Sequence, residues 1–567
     1  MIPIRRSKGA RAPILLRSPE PSGSRLDVVI LGYNDVDIKQ VERDHEAVQK
    51  FSGGYSNFKT NTINVQGERI PFMTLLNRSL ATGRSDDPRF HLCELPSLGA
   101  SYLKSFLVQR GFTAEVVNFF NHDRDRFAAL LAESPAAVAI TTTFYVDERP
   151  IVELIEFIRR HSSTTKVVVG GPHIYNLCSH NDDITQDHLF RRMGADVYVF
   201  DSQGELTLSR VLHALRTSDR PDWQAIPNLI YTDDNKSFQR TGREIENNDM
   251  DANIIDWGLF EPGFYTPTVQ MRTARSCAFK CAFCRYPVVA GELTLTSIER
   301  VEEELSALHD AGVTTVIFID DTFNVPLPRF KNICRMMIKN QFNFSWFSYF
   351  RCSNSDDEAF DLMQRSGCKG VFLGIESGDQ TLLTNMNKSA KIERYKHGIA
   401  RLKERDIMVF ASMIIGYPGE TADTVKRTMD FIEETAPQFY RAELYYHDTN
   451  APVAERTAEF GIRRAGYSWA HATMDWREAA QWVETMYRTV KSSTILPLYM
   501  YDFWAMPYLL GKGIGLDTFS RFTRVAHEML VSSLGAERPD HSAQQAKLRT
   551  LFAAPGVHRA EPHVLHG

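Results

Sequence analysis

Three cysteines within eight consecutive residues are the part of this chain best suited to chemistry. Cys277, Cys281 and Cys284 have the spacing C-x3-C-x2-C. Three thiolates on one loop can ligate three irons of a [4Fe–4S] cluster and leave the fourth iron open. Zinc is one alternative, although no fourth Cys or His stands at zinc-finger spacing. A chance group of buried cysteines is the other. We predict an iron–sulfur cluster with one open iron.

The elements around these cysteines predict a partial (β/α)6 barrel over residues 266–460. Six apolar strand patterns alternate with helical patterns from Val269 onward, and the cysteine loop follows the first strand. Active sites of such barrels lie at the carboxyl ends of the strands. Residues 461–545 are rich in aromatic and helical positions and predict a helical cap, and residues 546–567 predict a loose tail.

Residues 26–235 predict a second α/β domain, a doubly wound, Rossmann-like parallel sheet. Short β-branched runs alternate here with helical patterns, as expected when helices cover both faces of the sheet. Ligands of such sheets bind beyond the carboxyl ends of the strands. Gly32, Gly170 and Gly171 follow strands and would admit a ligand closely, although ordinary turn glycines explain each of them equally well.

The segments outside these two domains carry weaker signals. Residues 1–25 predict a flexible basic tail whose apolar stretch is too short for a secretory signal. Residues 36–96 form a long polar insert, which in a compact domain is usually functional or disordered. Residues 236–265 predict a linker because they are polar and contain several Pro and Gly residues.

The composition is that of an ordinary globular protein of two or three domains. The chain has 567 residues, 24% of them charged, and a net charge of -5, which argues against binding nucleic acid through bulk charge. No apolar run approaches the roughly 20 residues of a spanning helix. We predict a cytoplasmic location without a membrane partner. Core packing is the expected role of the other five of the eight cysteines.

The cysteine loop and later strand ends resemble the sequence pattern of radical S-adenosylmethionine (SAM) enzymes. Residues 276–287 are similar to the cluster-binding signature of that family, with its usual aromatic residue before the third cysteine. Residues 371–378 and 412–421 are similar to its fourth-strand and fifth-strand motifs. The resemblance implies that the open iron chelates the amino and carboxylate groups of SAM.

The same resemblance places six residues around SAM. Glu376 would lie near the ribose, the fifth-strand motif near the adenine, and Asp320 near the methionine moiety. Arg351 would pair with the carboxylate. A structural ion pair among Asp320, Asp321 and Arg351 is the alternative. The full set is Phe283, Asp320, Arg351, Glu376, Ile414 and Gly416.

Three segments of the first domain resemble the cobalamin-binding domain of the cobalamin-dependent branch of the same superfamily. They are residues 95–103, 169–173 and 194–205. The D-x-H-x-x-G motif, which supplies a histidine beneath cobalt in some cobalamin proteins, is absent here. We therefore expect no protein ligand beneath cobalt, with His173 as the remaining alternative. The resemblance places these residues at the cobalamin: Tyr33, Ser97, Gly99, Thr142, Gly170, Gly171, His173, Gly204 and Glu205.

Shorter segments are similar to a subgroup named for phosphinate P-methyltransferases: residues 31–35, 75–77 and 284–291. The resemblance implies transfer of a methyl group, through methylcobalamin, to an unactivated carbon or to phosphinate phosphorus. The implied cofactors are a [4Fe–4S] cluster, SAM and cobalamin. The implied substrate is a small or carrier-bound specialised metabolite, as in antibiotic biosynthesis. An external flavodoxin or ferredoxin is the expected electron donor, and nucleic acid is not an expected partner.

Three other functions fit the same residues. A cobalamin-dependent cyclase or oxidative enzyme would share every motif. A methyltransferase using polar transfer could cap the open iron with an acid that follows the cluster, from the set Glu292, Glu299, Glu302 and Glu303. A non-enzymatic cobalamin sensor is the third, although a sensor has no need of a cluster with an open iron.

Overall fold

The computed structural model describes residues 25–35, 38–48, 52–81, 89–265, 267–536 and 538–553. The chain forms two compact units. The N-terminal unit comprises residues 1–35 and 97–259, and the barrel unit comprises residues 36–96 and 260–567. The tail predicted at residues 1–25 lies outside the described residues except for Arg25. Within the described ranges, no helix has both the length and the apolar character needed to span a membrane.

The strands of both units are numbered in chain order. They are β1 Val28–Tyr33, β2 Ile63–Val65, β3 Glu68–Ile70, β4 Ala114–Phe119, β5 Ala137–Thr141, β6 Lys166–Gly170, β7 Val197–Val199, β8 Leu229–Tyr231, β9 Gln239–Arg240, β10 Thr268–Met271, β11 Ala274–Arg275, β12 Thr294–Leu295, β13 Thr315–Phe318, β14 Ser345–Tyr349, β15 Cys368–Glu376, β16 Met408–Ile415, β17 Phe439–Leu444 and β18 Thr494–Ile495.

The α-helices are numbered in the same way. They are α1 Ile38–Val48, α2 Gly53–Thr60, α3 Phe72–Leu80, α4 Leu98–Val108, α5 Arg124–Ala132, α6 Arg149–His161, α7 Pro172–His180, α8 Asp183–Met193, α9 Glu205–Thr217, α10 Tyr286–Ala290, α11 Ile298–Asp310, α12 Leu327–Lys339, α13 Asp357–Arg365, α14 Gln380–Asn385, α15 Ile392–Lys403, α16 Ala422–Thr435, α17 Thr457–Phe460, α18 Trp476–Thr489, α19 Ala505–Gly511, α20 Leu516–Gly535 and α21 Ser542–Ala553.

The N-terminal unit is built on a seven-stranded sheet in the order β4-β1-β5-β6-β7-β8-β9. Its first five strands in that order are parallel, and β8 and β9 are antiparallel. β1 is buried along its whole length because both faces of a parallel sheet are covered. Numbered within this unit, the parallel strands run 2-1-3-4-5, the flavodoxin-like form of the predicted doubly wound fold. The strand order reverses between β1 and β5, where such folds bind ligands.

The barrel unit contains a second seven-stranded sheet, β10-β13-β14-β15-β16-β17-β18, which is parallel throughout and follows chain order. This confirms the predicted partial (β/α)6 barrel and adds the short strand β18. One face of the sheet, here called the inner face, carries Phe347, Phe372 and Phe410. Their rings contact Phe503 at centroid distances of 6.1, 5.8 and 6.0 Å. A residue of the predicted cap therefore closes the end of the inner face.

The insert at residues 36–96 folds with the barrel unit, so the predicted domain over residues 26–235 excludes it. Within that unit α2 contacts α18, β2 contacts α20, and α3 contacts α21. The Asn64 N–H donates to Ser533 Oγ at 3.0 Å, and His541 Nε2 lies 2.8 Å from the Asn64 carbonyl oxygen. Side chains more than four hundred residues later in the sequence therefore bind the backbone of the insert and hold it in place.

Two predicted boundaries need correction. Most of the predicted linker at residues 236–265 belongs to the N-terminal unit, because that unit extends to Leu259 and β9 pairs with β8. The predicted loose tail is wrong for residues 546–553, which continue α21 and bury Leu548, Leu551 and Phe552. Residues 554–567 of that predicted tail lie outside the described residues.

Candidate functional site

The cysteine loop is anchored by backbone hydrogen bonds on both sides. It follows β11, which pairs with β12, and it starts at Ser276, whose φ of 71° turns the chain sharply. The Ala282 N–H donates to the Met386 carbonyl and the Ala282 carbonyl accepts from the Val453 N–H, both at 2.8 Å. The loop is therefore held by the segments after α14 and before α17, at the carboxyl ends of the barrel strands.

The thiols of this loop are unpaired and close to one another. None of the three cysteines of this loop forms a disulfide. Burial, together with the nearby Cys281, Asp321 and Cys277, raises the pKa of Cys284 to about 11, although a backbone hydrogen bond at Tyr286 opposes the shift. The described residues contain no group of three His, Cys, Asp or Glu side chains arranged to hold a single metal ion. Three free thiols on one fixed loop fit the donor set of a cluster that binds through three cysteines.

Arg351, which follows β14, lies over this loop. Its guanidinium carbon is 3.6 Å from the centroid of the Phe279 ring, and its side chain is largely buried. Among the described residues Nε and Nη2 have no hydrogen-bond partner. Its backbone is fixed because Asn324 accepts from the Arg351 N–H and donates to the Arg351 carbonyl. A buried guanidinium with open donors fits a carboxylate ligand, as predicted for Arg351.

Glu376 ends β15 in a strained conformation and forms a buried ion pair. Its φ is 71°, and the strand register shifts between Gly374 and Glu376. Lys388 Nζ donates to Glu376 Oε1 at 2.7 Å and lies 5.4 Å from the centroid of the Phe283 ring. A Cβ on Gly374 would come within 2.5 Å of Glu376 Oε1, so glycine is needed there. Lys388 was missed from the sequence, where the only signal was that a buried carboxylate requires a cation.

The prediction that Asp320 faces the ligand needs correction. Asp320 Oδ1 accepts from the backbone N–H groups of Thr273 and Ala274 at 2.6 and 2.9 Å, and Oδ2 accepts from the Thr273 hydroxyl. Asp320 thus fixes the strand that leads into the cysteine loop. The neighbouring Asp321 is accessible instead. Desolvation and the charge of Asp320 raise the pKa of Asp321 to about 7, and Asp321 also acts on Cys284.

The fifth-strand motif, residues 412–421, contacts the predicted cap. Gly416 has φ of 93°, and a Cβ there would lie 2.4 Å from the Trp469 ring. Its N–H donates to Glu420, and its carbonyl lies 3.2 Å from His471 Nε2. Because both backbone groups have protein partners, Gly416 can offer a predicted adenine only van der Waals contact. Ile414, on the inner face of β16, keeps partial exposure for such a contact.

The acids proposed to cap the open iron have other positions. Glu299, Glu302 and Glu303 lie on α11, where Glu302 accepts from Asn340 and Glu303 pairs with Arg300. Glu292 is exposed in the turn before β12. The structure therefore gives no support to an acid cap from α11.

In the N-terminal unit, the residues predicted to contact cobalamin gather at the carboxyl edge of the parallel strands. Tyr33 ends β1, Thr142 follows β5, and α7 and α9 begin after β6 and β7. The members are Tyr33, Ser97, Gly99, Thr142, Gly170, Gly171, His173, Gly204 and Glu205. The strand-order reversal lies between Tyr33 and Thr142, so the predicted set surrounds the point where this fold binds ligands.

Several of these residues already have partners within the unit. The Thr142 hydroxyl donates to the Gly170 carbonyl at 2.8 Å and accepts from the His173 N–H at 3.2 Å. Ser97 Oγ caps α4, and Glu205 accepts from Asn248. The polar groups of these residues therefore form hydrogen bonds within the unit and fix the conformation of this edge. Phe144 and Val146, which the sequence reasoning missed, are 58% and 87% exposed in the loop after β5 and supply apolar surface.

His173 has a buried Nε2 with no hydrogen-bond partner in the described part of the chain. Burial lowers the pKa of His173, although Glu148 and Asp147 oppose the shift. The edge thus offers an apolar surface, glycines and one imidazole. These features fit a large macrocyclic cofactor such as cobalamin.

Comparison with known proteins identifies the class to which the barrel unit belongs. Residues 271–432 match the Radical SAM superfamily. The matched segment runs from the end of β10 to the end of α16 and includes the cysteine loop, Arg351, Glu376 and Gly416. The barrel unit therefore contains a radical SAM domain, as the resemblance of the cysteine loop and the strand-end motifs implied.

More particular relatives extend beyond this domain. An uncharacterized methyltransferase from Pyrococcus horikoshii is 26% identical over 350 residues, which are 60% of this chain and 73% of that protein. The radical SAM methyltransferase TsrM from Kitasatospora setae, solved with tryptophan and a SAM analog, has a TM-score of 0.52 at 20% identity over 77% of this chain and 76% of its own. The cobalamin-dependent SAM radical enzyme OxsB with aqua-cobalamin has a TM-score of 0.55 at 14% identity, covering 93% and 79%. These likenesses establish a shared fold of both units.

Proposed function

We propose that this protein is a cobalamin-dependent radical SAM methyltransferase that acts on a specialised small molecule or a carrier-bound form of one. The observation that carries the proposal is the loop of Cys277, Cys281 and Cys284 beside Arg351, a buried cation with open donors. The radical SAM match and the flavodoxin-like N-terminal unit support it. So does the similarity to the uncharacterized methyltransferase from Pyrococcus horikoshii, which is 26% identical over 350 residues.

The side chains of the barrel unit have distinct roles in this proposal. The three thiolates would hold a [4Fe–4S] cluster, which when bound supplies single-electron chemistry to SAM. Arg351 binds the SAM carboxylate with its open donors. Glu376, oriented by Lys388, accepts from a ribose hydroxyl. Phe279 and Phe283 cover the site from one side and exclude water, which strengthens these polar contacts.

The N-terminal unit would hold cobalamin at the edge between β1 and β5. Cobalamin when bound supplies a cobalt centre that carries a methyl group. Phe144 and Val146 offer apolar contact, and Gly171, with φ of 107°, lets its backbone pack closely against Thr142, whose Oγ1 would lie 2.9 Å from a Cβ at that position. The methylated atom, carbon or phosphinate phosphorus, follows from the resemblance to the phosphinate subgroup and remains a prediction, as does an external flavodoxin or ferredoxin.

Anaerobic reconstitution with iron, sulfide and cobalamin tests the proposal. We expect about four irons per chain and a separate cobalamin spectrum. Replacing Cys277, Cys281 and Cys284 with Ala should remove the iron and leave the cobalamin. Cys93→Ala is the matched control, because Cys93 is also a partly accessible cysteine but lies in the insert. Iron that survives the triple change would contradict the assignment.

The products separate the alternatives. A methyltransferase forms S-adenosylhomocysteine together with a methylated product, whereas a cobalamin-dependent cyclase or oxidative enzyme consumes SAM without methylating its substrate. A cobalamin sensor would bind cobalamin and consume no SAM. Incubating the reconstituted chain with SAM and a chemical reductant, followed by mass spectrometry of the SAM-derived products, distinguishes the three.

A further inference from the structure

A second group of charged side chains lies on the inner face of the barrel sheet. Arg441 and Glu443 stand two residues apart on β17, so they point to the same face. Arg441 pairs in register with Ser412 on β16, which pairs with Gly374 on β15. Two strand spacings of about 4.8 Å separate Arg441 from Gly374, next to Glu376. The group is therefore adjacent to the proposed SAM site and separate from it.

Arg441 is a buried cation whose hydrogen bonding is incomplete. Its side chain is 10% exposed, and Nε lies 2.5 Å from Glu443 Oε1. Nη1 has no hydrogen-bond partner among the described residues. The guanidinium carbon lies 5.5 Å from the centroid of the Phe410 ring, which marks it as facing the interior of the barrel. An unsatisfied buried N–H is costly, so this position calls for an acceptor from a ligand.

Acidic groups flank Arg441 and keep accessible surface. Glu443 has a side-chain exposure of 21% and lies on a part of β17 that β18 does not pair with. Asp502, next to the Phe503 that closes the inner face, accepts from the Trp504 N–H at 3.0 Å. Burial raises the pKa of Asp502 to about 6, and the charge of Arg441 opposes the shift, so the two groups sense each other. The group thus combines one guanidinium group with two carboxyl groups.

Aromatic side chains complete the surroundings. The Tyr349 ring meets the Trp504 ring at 4.9 Å and the Phe372 ring at 4.8 Å. Asp502 and Arg441 both act electrostatically on Tyr349. Glu443 likewise acts on Tyr467 and Tyr499 from the cap. The charged group thus lies among flat, apolar surfaces suited to a ring or a chain of carbon atoms.

The charges select among ligand types. An anion alone would satisfy Arg441 but meet two carboxylates. A cation alone would suit the carboxylates but leave Arg441 Nη1 without an acceptor and stand beside its charge. A ligand with both charges satisfies every group. We propose that Arg441, Glu443 and Asp502 bind the carboxylate and ammonium groups of an amino-acid substrate, with Arg441 on the carboxylate. This inference rests on the proposed function and specifies the substrate class of that site.

Equilibrium dialysis of the reconstituted full chain with three radiolabelled probes tests the inference. L-Phenylalanine carries both charges, phenethylamine only the positive one, and 3-phenylpropionate only the negative one. A charge-assisted contact is worth about tenfold in affinity, so we expect L-phenylalanine to bind at least about tenfold more tightly than either other probe. Similar affinities of all three probes for the unaltered chain would overturn the inference.

Two variants test which side chain binds which charged group of the probe, because each variant should change a different ratio of probe affinities. Arg441→Gln should abolish the preference for L-phenylalanine over phenethylamine, and Asp502→Asn the preference over 3-phenylpropionate. A general loss of structure would lower all three affinities together and would contradict these roles. The control pair is Arg401→Gln and Glu404→Gln, which break an exposed ion pair on α15 and should leave all ratios unchanged.

Iron and cobalamin contents measured on the same samples separate this inference from the proposed function. Normal cofactor contents without probe selectivity would refute the substrate class alone. Selectivity in a chain that binds neither iron nor cobalamin would retain the amino-acid site and refute the proposed methyltransferase.

Discussion

The buried pair of Glu376 and Lys388 makes a prediction with a definite size. Nζ and Oε1 are 2.7 Å apart, and the two side chains are 10% and 9% exposed. At an effective dielectric constant of about 20, their attraction is about 6 kcal/mol, which is offset by several kcal/mol of desolvation for each ion. Removing one partner leaves the other charge buried and alone. Lys388→Met should therefore destabilise the fold by about 3–5 kcal/mol.

A double-mutant cycle tests this reasoning. Lys388→Met combined with Glu376→Gln leaves no unpaired charge, so its cost should be smaller than the sum of the single costs by about 2 kcal/mol or more. Urea unfolding of the full chain can be followed by tryptophan fluorescence, which reports mainly the barrel unit because it contains most of the tryptophans: Trp346, Trp469, Trp476, Trp482 and Trp504.

Two results would refute the argument. One is a cost for Lys388→Met below about 1 kcal/mol, the size found for exposed pairs. The other is strict additivity in the double variant, which would mean that the two side chains do not interact. Lys396→Met is the matched control, because Lys396 pairs with Glu434 at a similar distance of 2.8 Å on the surface. That change should leave the unfolding transition unaltered.

Three further predictions concern the same unit. Gly416→Ala should lower the unfolding free energy by about 3 kcal/mol or more, because its Cβ would overlap the cap and its φ is positive. The control is Gly312→Ala, where φ is also positive but the space around the Cβ is open. That change should cost about 1–2 kcal/mol. Burial raises the pKa of Glu420 from 4.5 to about 8, so the folded chain binds this proton more tightly than the unfolded chain, and the free energy of unfolding should fall as pH rises through that interval. Glu420→Gln should reduce this fall when urea unfolding is measured at several pH values. An unchanged dependence of the unfolding free energy on pH would contradict this assignment. Arg351→Gln should weaken SAM binding by about tenfold or more in equilibrium dialysis without changing the iron content. Arg351→Lys should reduce the affinity for SAM by a smaller factor. Equal SAM affinity of both variants and the unaltered chain would show that Arg351 does not bind the SAM carboxylate.

The parts of the fold set by local pattern could be predicted from the sequence. The cysteine spacing indicated the cluster loop, and buried β-branched runs indicated the parallel strands of both sheets. In the barrel sheet the observed order is the chain order, as short right-handed connections favour. The reversal of strand order between β1 and β5 could not be predicted, because it depends on the side of β1 on which β4 pairs. The insert at 36–96 was also unplaced, since its contacts are with α18, α20 and α21.

Within the site, neighbouring residues show where sequence reasoning ends. Asp320 and Asp321 follow the same strand and differ by one position, and successive side chains point to opposite sides. The pattern identified both acids but not the side that each faces. Lys388 was missed for another reason: it lies in an irregular segment, and its importance comes from the burial of Glu376. Arg441 stood in a predicted strand, yet only its unsatisfied Nη1 distinguishes it from an ordinary ion-pair residue.

The placement of residues 36–96 has a consequence for how the chain reaches its native state. β1 is central in its sheet, between β4 and β5, yet it is separated from them in sequence by a segment of the other unit. Among the described residues, that segment packs against β17, α18, α20 and α21, all of which come more than 340 residues later in the sequence. During synthesis residues 36–96 therefore stay without these partners until most of the sequence has been translated. Contacts this distant slow folding and prolong exposure to aggregation. We expect a strong need for chaperones, and no single cut that releases either unit intact.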